Sequence, residues 1–233
     1  MVKKQNNALV TGGTSGLGRA IAQGFHQAGY SVTAVGLGPL PEEDDGLIYK
    51  TLDVTDGDAI EALIGGLPTL DVVVNAAGVI RREEELDPDV FTQVVDINLN
   101  GTMRVCAAAR PVLAKNGGTI INIASMLSYF GGGLVPGYAA SKGGIAQLTK
   151  SLAIAYAKDG IRVNALAPGW IATPLTQNLQ NDPDRSAAIL SRTPMARWGK
   201  PEDLIGPALF LASEHAGFIT GTLLNVDGGY AAV

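Results

Sequence analysis

Apolar residues alternate along the chain between two patterns. Short apolar runs at residues 8–10, 31–35, 47–52, 71–75, 119–123, 162–166 and 223–226 are strand-length. The run Asp71-Val-Val-Val-Asn75 is apolar throughout its centre, as a parallel strand covered on both faces must be. Between these runs the spacing becomes helical. Leu17, Ala20, Ile21, Gly24, Phe25 and Ala28 recur on one face before Gly29 ends the helix. Further helices are predicted over 59–64, with Thr55 as N-cap, over 90 to about 115, over 138–158 and over 202–212. A polar, proline-punctuated insert occupies 168–201, with a helix starting at Asp182-Pro183. Strand and helix alternate throughout, which predicts a Rossmann-type α/β fold: one doubly wound parallel sheet in a single domain over 1–233. The eleven residues between Val35 and Leu47 are barely enough for a parallel crossover, so a loop with at most one helical turn is expected there.

Composition narrows the possibilities. A chain of 233 residues suits one α/β domain with a full core. A hydrophobic content of 46% and a mean hydropathy of +0.20 point to buried subunit surface as well. The net charge of −5, without any basic stretch, speaks against nucleic acid. Cys106 stands alone, as expected in a reducing cytoplasm. No signal peptide or membrane span is read at the start, so a cytoplasmic protein is expected. His26 and His215 lie in no ligand-like motif, so no metal is expected.

The stretch TGGTSGLGRA, residues 11–20, follows the first strand and opens the first helix. As a Walker A loop it fails, because Arg19 and Ala20 stand where Lys and Ser or Thr are required. As a nucleophile elbow around Ser15 it fails at Leu17. Glycines at 12, 16 and 18 instead fit a dinucleotide loop: a tight turn, then backbone N–H groups at a helix N-terminus facing a pyrophosphate.

Tyr138-Ala-Ala-Ser-Lys142 sets two titratable groups at i and i+4 on one helix face. A nearby ammonium favours the phenolate, so Lys142 is expected to lower the pKa of Tyr138 and make it an acid–base group. Ser125 follows the 119–123 strand at the end where ligands bind in open parallel sheets. Asn75-Ala-Ala-Gly78 ends another strand with small residues that let a cofactor approach. Asn98 reads, by itself, as a polar helix residue.

Together TGGTSGLG, Asp53-Val54, NAAG at 75–78, the Asn98 segment, Ser125, YAASK and Pro168-Gly169 resemble the short-chain dehydrogenase/reductase family along essentially the whole chain. The resemblance implies a hydride-transfer enzyme using NAD or NADP. It implies Tyr138 as acid–base residue, with Lys142 lowering its pKa and binding the nicotinamide ribose. Ser125 then orients the substrate oxygen, and Asn98 holds a water in a proton relay. The cofactor would meet Gly12, Thr14, Ser15, Gly16, Leu17 and Gly18, with Asp53 and Val54 at the adenine. It would also meet Asn75, Ala76, Ala77 and Gly78, and Pro168, Gly169, Ile171 and Thr173 at the nicotinamide. The family is commonly tetrameric, which implies a homotetramer.

The second half resembles the sugar-acid branch of the family, the 2-deoxy-D-gluconate, 2-dehydro-3-deoxy-D-gluconate and gluconate 5-dehydrogenases. The substrate expected is therefore a sugar acid, its carboxylate met by one or more of Arg81, Arg82, Arg192 and Arg197. The insert near 170–200 would cover the substrate. A ketoacyl thioester reductase, a polyol dehydrogenase, or a non-catalytic cofactor-binding regulator are the alternatives. NAD is expected over NADP, because Val35-Gly36-Leu37-Gly38 brings no base to a 2′-phosphate and the acidic run 42–45 would repel one.

Overall fold

A computed structural model describes residues 5–42 and 44–233. Seven strands form one parallel sheet in the order β3-β2-β1-β4-β5-β6-β7. They are β1 (Asn7–Thr11), β2 (Ser31–Gly36), β3 (Ile48–Thr51), β4 (Val72–Asn75), β5 (Gly118–Ile123), β6 (Ile161–Pro168) and β7 (Leu223–Val226). The helices are α1 (Gly16–Gln27), α2 (Gly57–Gly65), α3 (Pro88–Val95), α4 (Gly101–Leu113), α5 (Pro136–Tyr156), α6 (Gln177–Gln180), α7 (Pro183–Ser191) and α8 (Ile205–Ala212).

Alternation along the strands divides the core. Leu9, Val73, Ile120 and Val163 face α2, α4 and α5, where Ile60, Val105 and Leu152 meet them. Ala8, Val10, Val72, Val74 and Ile121 face the other way, onto Ile21 and Phe25 of α1 and Ala208 and Leu211 of α8. Successive side chains of a strand point to opposite faces, so one run of valines serves both layers. Burying a side chain such as Phe25 contributes about 1.5–3 kcal/mol.

Most elements lie where the apolar pattern puts them, and the differences have local causes. No helix forms between β2 and β3 among the described residues, and the acidic run there includes Glu43, which lies outside them. Asp56, not Thr55, caps α2 by accepting from the Ala59 N–H at 3.0 Å, because Thr55 is turned to Asp53. The helix expected over 90 to about 115 is interrupted by a π-helical turn, Asp96–Asn100, between α3 and α4. The buried Asn98 side chain sits in that turn and is committed to residues outside the helix. Pro136 starts α5 two residues before Tyr138. Asp182 caps α7 by accepting from the Asp184 and Arg185 N–H groups at 3.1 Å, as its Asp-Pro pair predicts.

The order reverses at β1, which lies between β2 and β4. Crossovers leave in opposite directions there, and a crevice opens at the carboxyl ends of the strands.

Candidate active site

The crevice holds a cleft of about 370 Å³. One end is built by the turn after β1. Gly12 has φ +66°, and a Cβ on it would stand 2.7 Å from the Ala76 backbone, so only glycine fits. A Cβ on Gly18 would run into the Gly12 carbonyl oxygen, which holds α1 close against the turn. Gly16 differs: with φ +51°, it has nothing nearer its Cβ position than Pro174 Cδ at 3.9 Å, so its bare face opens on the cleft. Ser15 is the N-cap of α1 but makes no side-chain capping bond, and no acid stands in the first turn. The partial positive charge of the helix end is therefore uncompensated locally, which suits an anion.

The other wall comes from β5 and α5. Lys142 is buried and its Nζ donates to the Ile123 carbonyl oxygen at 2.6 Å, while lying 5.4 Å from the centre of the Tyr138 ring. Burial pulls the Lys142 ammonium down to about 8. Ser125 caps the short turn Met126–Ser128, and its Oγ accepts from the Leu127 N–H at 3.2 Å. Its hydroxyl also hydrogen-bonds that of Tyr138. Ser128 Oγ donates to the Lys142 carbonyl oxygen at 2.6 Å and ties this turn to α5.

The expectation that Tyr138 titrates below an ordinary phenol is corrected here. Burial pushes it up, the Ser125 hydrogen bond pulls it down, and the Glu85 charge adds to the rise. Lys142 gives its ammonium to the Ile123 carbonyl at 2.6 Å.

Asn98 lies outside the cleft lining but frames it. Its Oδ1 accepts from the Val79 N–H at 2.8 Å, and its Nδ2 donates to the Val79 carbonyl at 2.9 Å and to Ser141 Oγ at 3.1 Å. Ser141 Oγ donates in turn to the Tyr138 carbonyl at 2.7 Å. Asn98 thus joins the strand end after β4 to the helix that carries Tyr138 and Lys142.

Of the residues expected at a cofactor, Gly12, Ser15, Gly16, Leu17 and Gly18 line the cleft, as do Ala76 and Gly78. Pro168, Gly169, Ile171 and Thr173 line its far side, and Pro174, Leu175 and Thr176 of the insert complete it. Thr14 packs its hydroxyl against Gly36 instead. Asp53 does not line it either, and accepts from the Thr55 N–H and hydroxyl at 2.8 Å each. Val54 packs on Gly101. Asn75 is a correction: its Nδ2 donates to Asn122 Oδ1 at 2.9 Å and to Cys106 Sγ at 3.3 Å, in a buried chain that Asn122 extends to Thr149. Burial pushes the Cys106 thiol up to about 12.

None of the four expected arginines lines this cleft. Arg197 forks onto Asp203 at 2.7 and 3.1 Å and borders a separate cavity of about 300 Å³. Arg192 lies between the rings of Phe130 and Tyr230, 4.9 and 4.4 Å from their centres. The Arg81 side chain reaches Glu84 at 4.0 Å. Arg82 is half-buried, in the same loop.

Two participants were missed in the sequence. The Ile123 carbonyl is a main-chain acceptor that no residue pattern marks. Glu85 is 1% exposed and accepts from the Tyr138 N–H, but it stands in an acidic run that reads as solvated surface.

The Enoyl-(Acyl carrier protein) reductase family model matches residues 12–231. The chain belongs to the short-chain dehydrogenase/reductase family. It is an NAD(P)-dependent oxidoreductase acting on CH–OH groups, in the Rossmann-type fold common to the family. A 2-dehydro-3-deoxy-D-gluconate 5-dehydrogenase of Pseudoalteromonas atlantica is 42% identical, covering 96% of this chain and 94% of that protein. A solved Agrobacterium tumefaciens structure with bound NADP, described as a candidate 2-deoxy-D-gluconate 3-dehydrogenase, is 41% identical with a TM-score of 0.89, covering 98% of this chain and 97% of that one. A gluconate 5-dehydrogenase of Burkholderia cenocepacia, solved with NADP and tartrate, is 33% identical with a TM-score of 0.91, covering 99% and 97%. Bound NADP in these relatives lends no support to the preference for NAD read from residues 35–38. Among the described residues, no helix is long and apolar enough to cross a membrane, and no group of three or more His, Cys, Asp or Glu could hold a metal ion.

Proposed function

We propose that the protein interconverts a secondary hydroxyl and a ketone on a six-carbon sugar acid, with Tyr138 as the group that exchanges the hydroxyl proton. The observation that carries the chemistry is the placing of Tyr138, Ser125 and Lys142 on one wall of a cleft whose other end is an open glycine turn. The substrate class rests on the similarity to sugar-acid dehydrogenases.

The residues present fit a nicotinamide dinucleotide. The bare face of Gly16 and the uncapped start of α1 would hold the pyrophosphate, and Lys142 with the Pro168–Gly169 and Ile171–Thr173 backbone would hold the nicotinamide half. When bound, the nicotinamide takes or gives the hydride. Ser125 holds the substrate oxygen beside the Tyr138 hydroxyl. In oxidation the carbinol loses a hydride from carbon and its hydroxyl proton goes to the Tyr138 phenolate; in reduction both return. A raised Tyr138 keeps its proton at neutral pH, which favours ketone reduction there and alcohol oxidation as the pH rises. Lys142 and Asn98, bonded to Ile123 and Val79, fix the wall on which this happens.

NADP is the cofactor this reading favours. Gly36 puts no carboxylate at the end of β2. Asp45 of the acidic run is bound by Arg19 at 3.1 Å and by the Tyr49 hydroxyl at 2.8 Å, so its charge is compensated rather than free to repel a phosphate. The assembly this reading favours is a homotetramer, as the family and the 46% hydrophobic content suggest. A cytoplasmic location fits an enzyme of this kind.

The test is a panel. 2-Dehydro-3-deoxy-D-gluconate, D-gluconate and neutral sorbitol are assayed with NADP and NAD. Turnover of the acids well above sorbitol, and a higher kcat/KM with NADP, is expected. Equal turnover of sorbitol would make the protein a polyol dehydrogenase.

A further inference from the structure

Glu85 is a carboxylate that the reaction scheme does not use, yet it is almost wholly buried at 1% exposure. A buried charge is costly unless it is hydrogen-bonded, and here both oxygens are engaged. Oε1 accepts from the Arg81 N–H at 2.7 Å, and Oε2 accepts from the Tyr138 N–H at 2.7 Å. The second bond falls in the first turn of α5, where Val135 as N-cap supplies no side-chain acceptor. A carboxylate from elsewhere in the chain therefore satisfies a free N–H of that helix and complements its dipole.

The approach has been accommodated on both sides. A Cβ on Gly137 would lie 3.3 Å from Oε2, so glycine lets the carboxylate come close. Glu83, two residues before Glu85, has φ +70°, an unfavourable conformation for a side-chain-bearing residue. It is held there by its N–H, which donates to the Leu134 carbonyl at 2.7 Å, just ahead of α5. The loop that follows β4 is thus fastened twice to the start of α5.

We propose that Glu85 is a positioning residue for hydride transfer: its carboxylate sets where Tyr138 stands relative to the loop that carries Arg81 and Arg82. The inference rests on Tyr138 as the acid–base group. Through Tyr138 it links proton exchange to the loop that follows β4, and its charge acts on the proton it positions. The titratable groups facing Tyr138 are Lys142 from α5 and Glu85 from the loop; Ser125, at the end of β5, is its neutral partner. The Arg81 side chain turns to Glu84 instead.

Glu85→Gln, Glu85→Asp and Tyr138→Phe are compared in the whole enzyme, with whichever acid of the panel is turned over fastest. The readout is kcat in the oxidation direction against pH. The two N–H groups meet different oxygens of Glu85, and Gln would set a donating NH2 against one of them, so kcat should fall about tenfold. Removing the charge should also move the midpoint of the acidic limb down by about half a pH unit or more, since Glu85 raises Tyr138. A loss of packing alone would lower kcat at every pH without moving the midpoint. Glu85→Asp keeps the charge with a shorter reach: kcat should fall while the midpoint stays, and this variant decides the matter where the Gln variant does not fold. Wild-type kcat in Glu85→Asp, or an unmoved midpoint in a folded Glu85→Gln, overturns the proposal while Tyr138→Phe remains inactive. An active Tyr138→Phe removes the reading beneath it.

Discussion

Lys142 stands one helical turn beyond Tyr138, its Nζ 5.4 Å from the centre of the Tyr138 ring, and spends a hydrogen bond on the Ile123 carbonyl rather than on the phenol. The pair shares a helix face, but the lysine is anchored to the end of β5. It holds α5 to the sheet at the point where the cleft opens.

Tyr138→Phe keeps the ring and its packing and removes the exchangeable proton. Turnover should fall by roughly two orders of magnitude or more, with the cofactor still bound. Steady-state rates and a cofactor titration measured together check this, and near-normal turnover would remove Tyr138 from its role.

Burial of Lys142 has a stability consequence with a definite sign. Its pKa falls from 10.5 in the unfolded chain to about 8 in the folded one, so between those values the unfolded state binds the extra proton. Folding stability from this group therefore rises with pH through that window, and its penalty is fully present below pH 8. Lys142→Met lacks the titration, though it also leaves the Ile123 carbonyl without its donor. The stability of the variant minus that of the wild type should decline by about 3 kcal/mol from below pH 8 to pH 10.5. Urea unfolding at several pH values measures it. Parallel curves for the two proteins would contradict a buried Lys142 of this kind.

Gly18→Ala puts a methyl group into the Gly12 carbonyl oxygen, and neither backbone can give way without opening the turn. A loss of about 1–3 kcal/mol of stability is expected, together with cofactor binding weakened beyond what the stability loss explains. Thermal unfolding and cofactor affinity separate the two effects. Unchanged affinity would show that the turn is only a helix start.

Gly36→Asp introduces the missing carboxylate at the end of β2, but its Cβ meets the Thr14 hydroxyl, so Thr14→Ala is made with it. The ratio of kcat/KM for NADP to that for NAD should fall by about two orders of magnitude, the effect of a like charge facing the 2′-phosphate. A ratio that does not move would place the adenosine ribose away from Gly36.

Strand and helix order, the glycine turn and the Tyr138–Lys142 pair were legible in the sequence because each is set by residues near one another along the chain. Periodicity decides which face is apolar, a glycine decides a positive φ, and a spacing of four decides which side chains share a helix face. Asp182 ahead of Pro183 marked its helix for the same reason.

What the chain order does not encode is which distant groups compete for a side chain. Asn75 was expected at the cofactor but finds Asn122 and Cys106 behind it. Arg197 was expected at a carboxylate from outside and meets Asp203 of its own chain, because the turn between them folds back. Asn98, which reads as a polar helix residue, breaks its helix into a π turn by bonding Val79 in both directions. Glu85, one of several acids in a row, is the one drawn inside, where the start of α5 leaves an N–H without an acceptor. Burial makes such choices expensive to leave unsatisfied, and only the packed structure determines which partner is within reach.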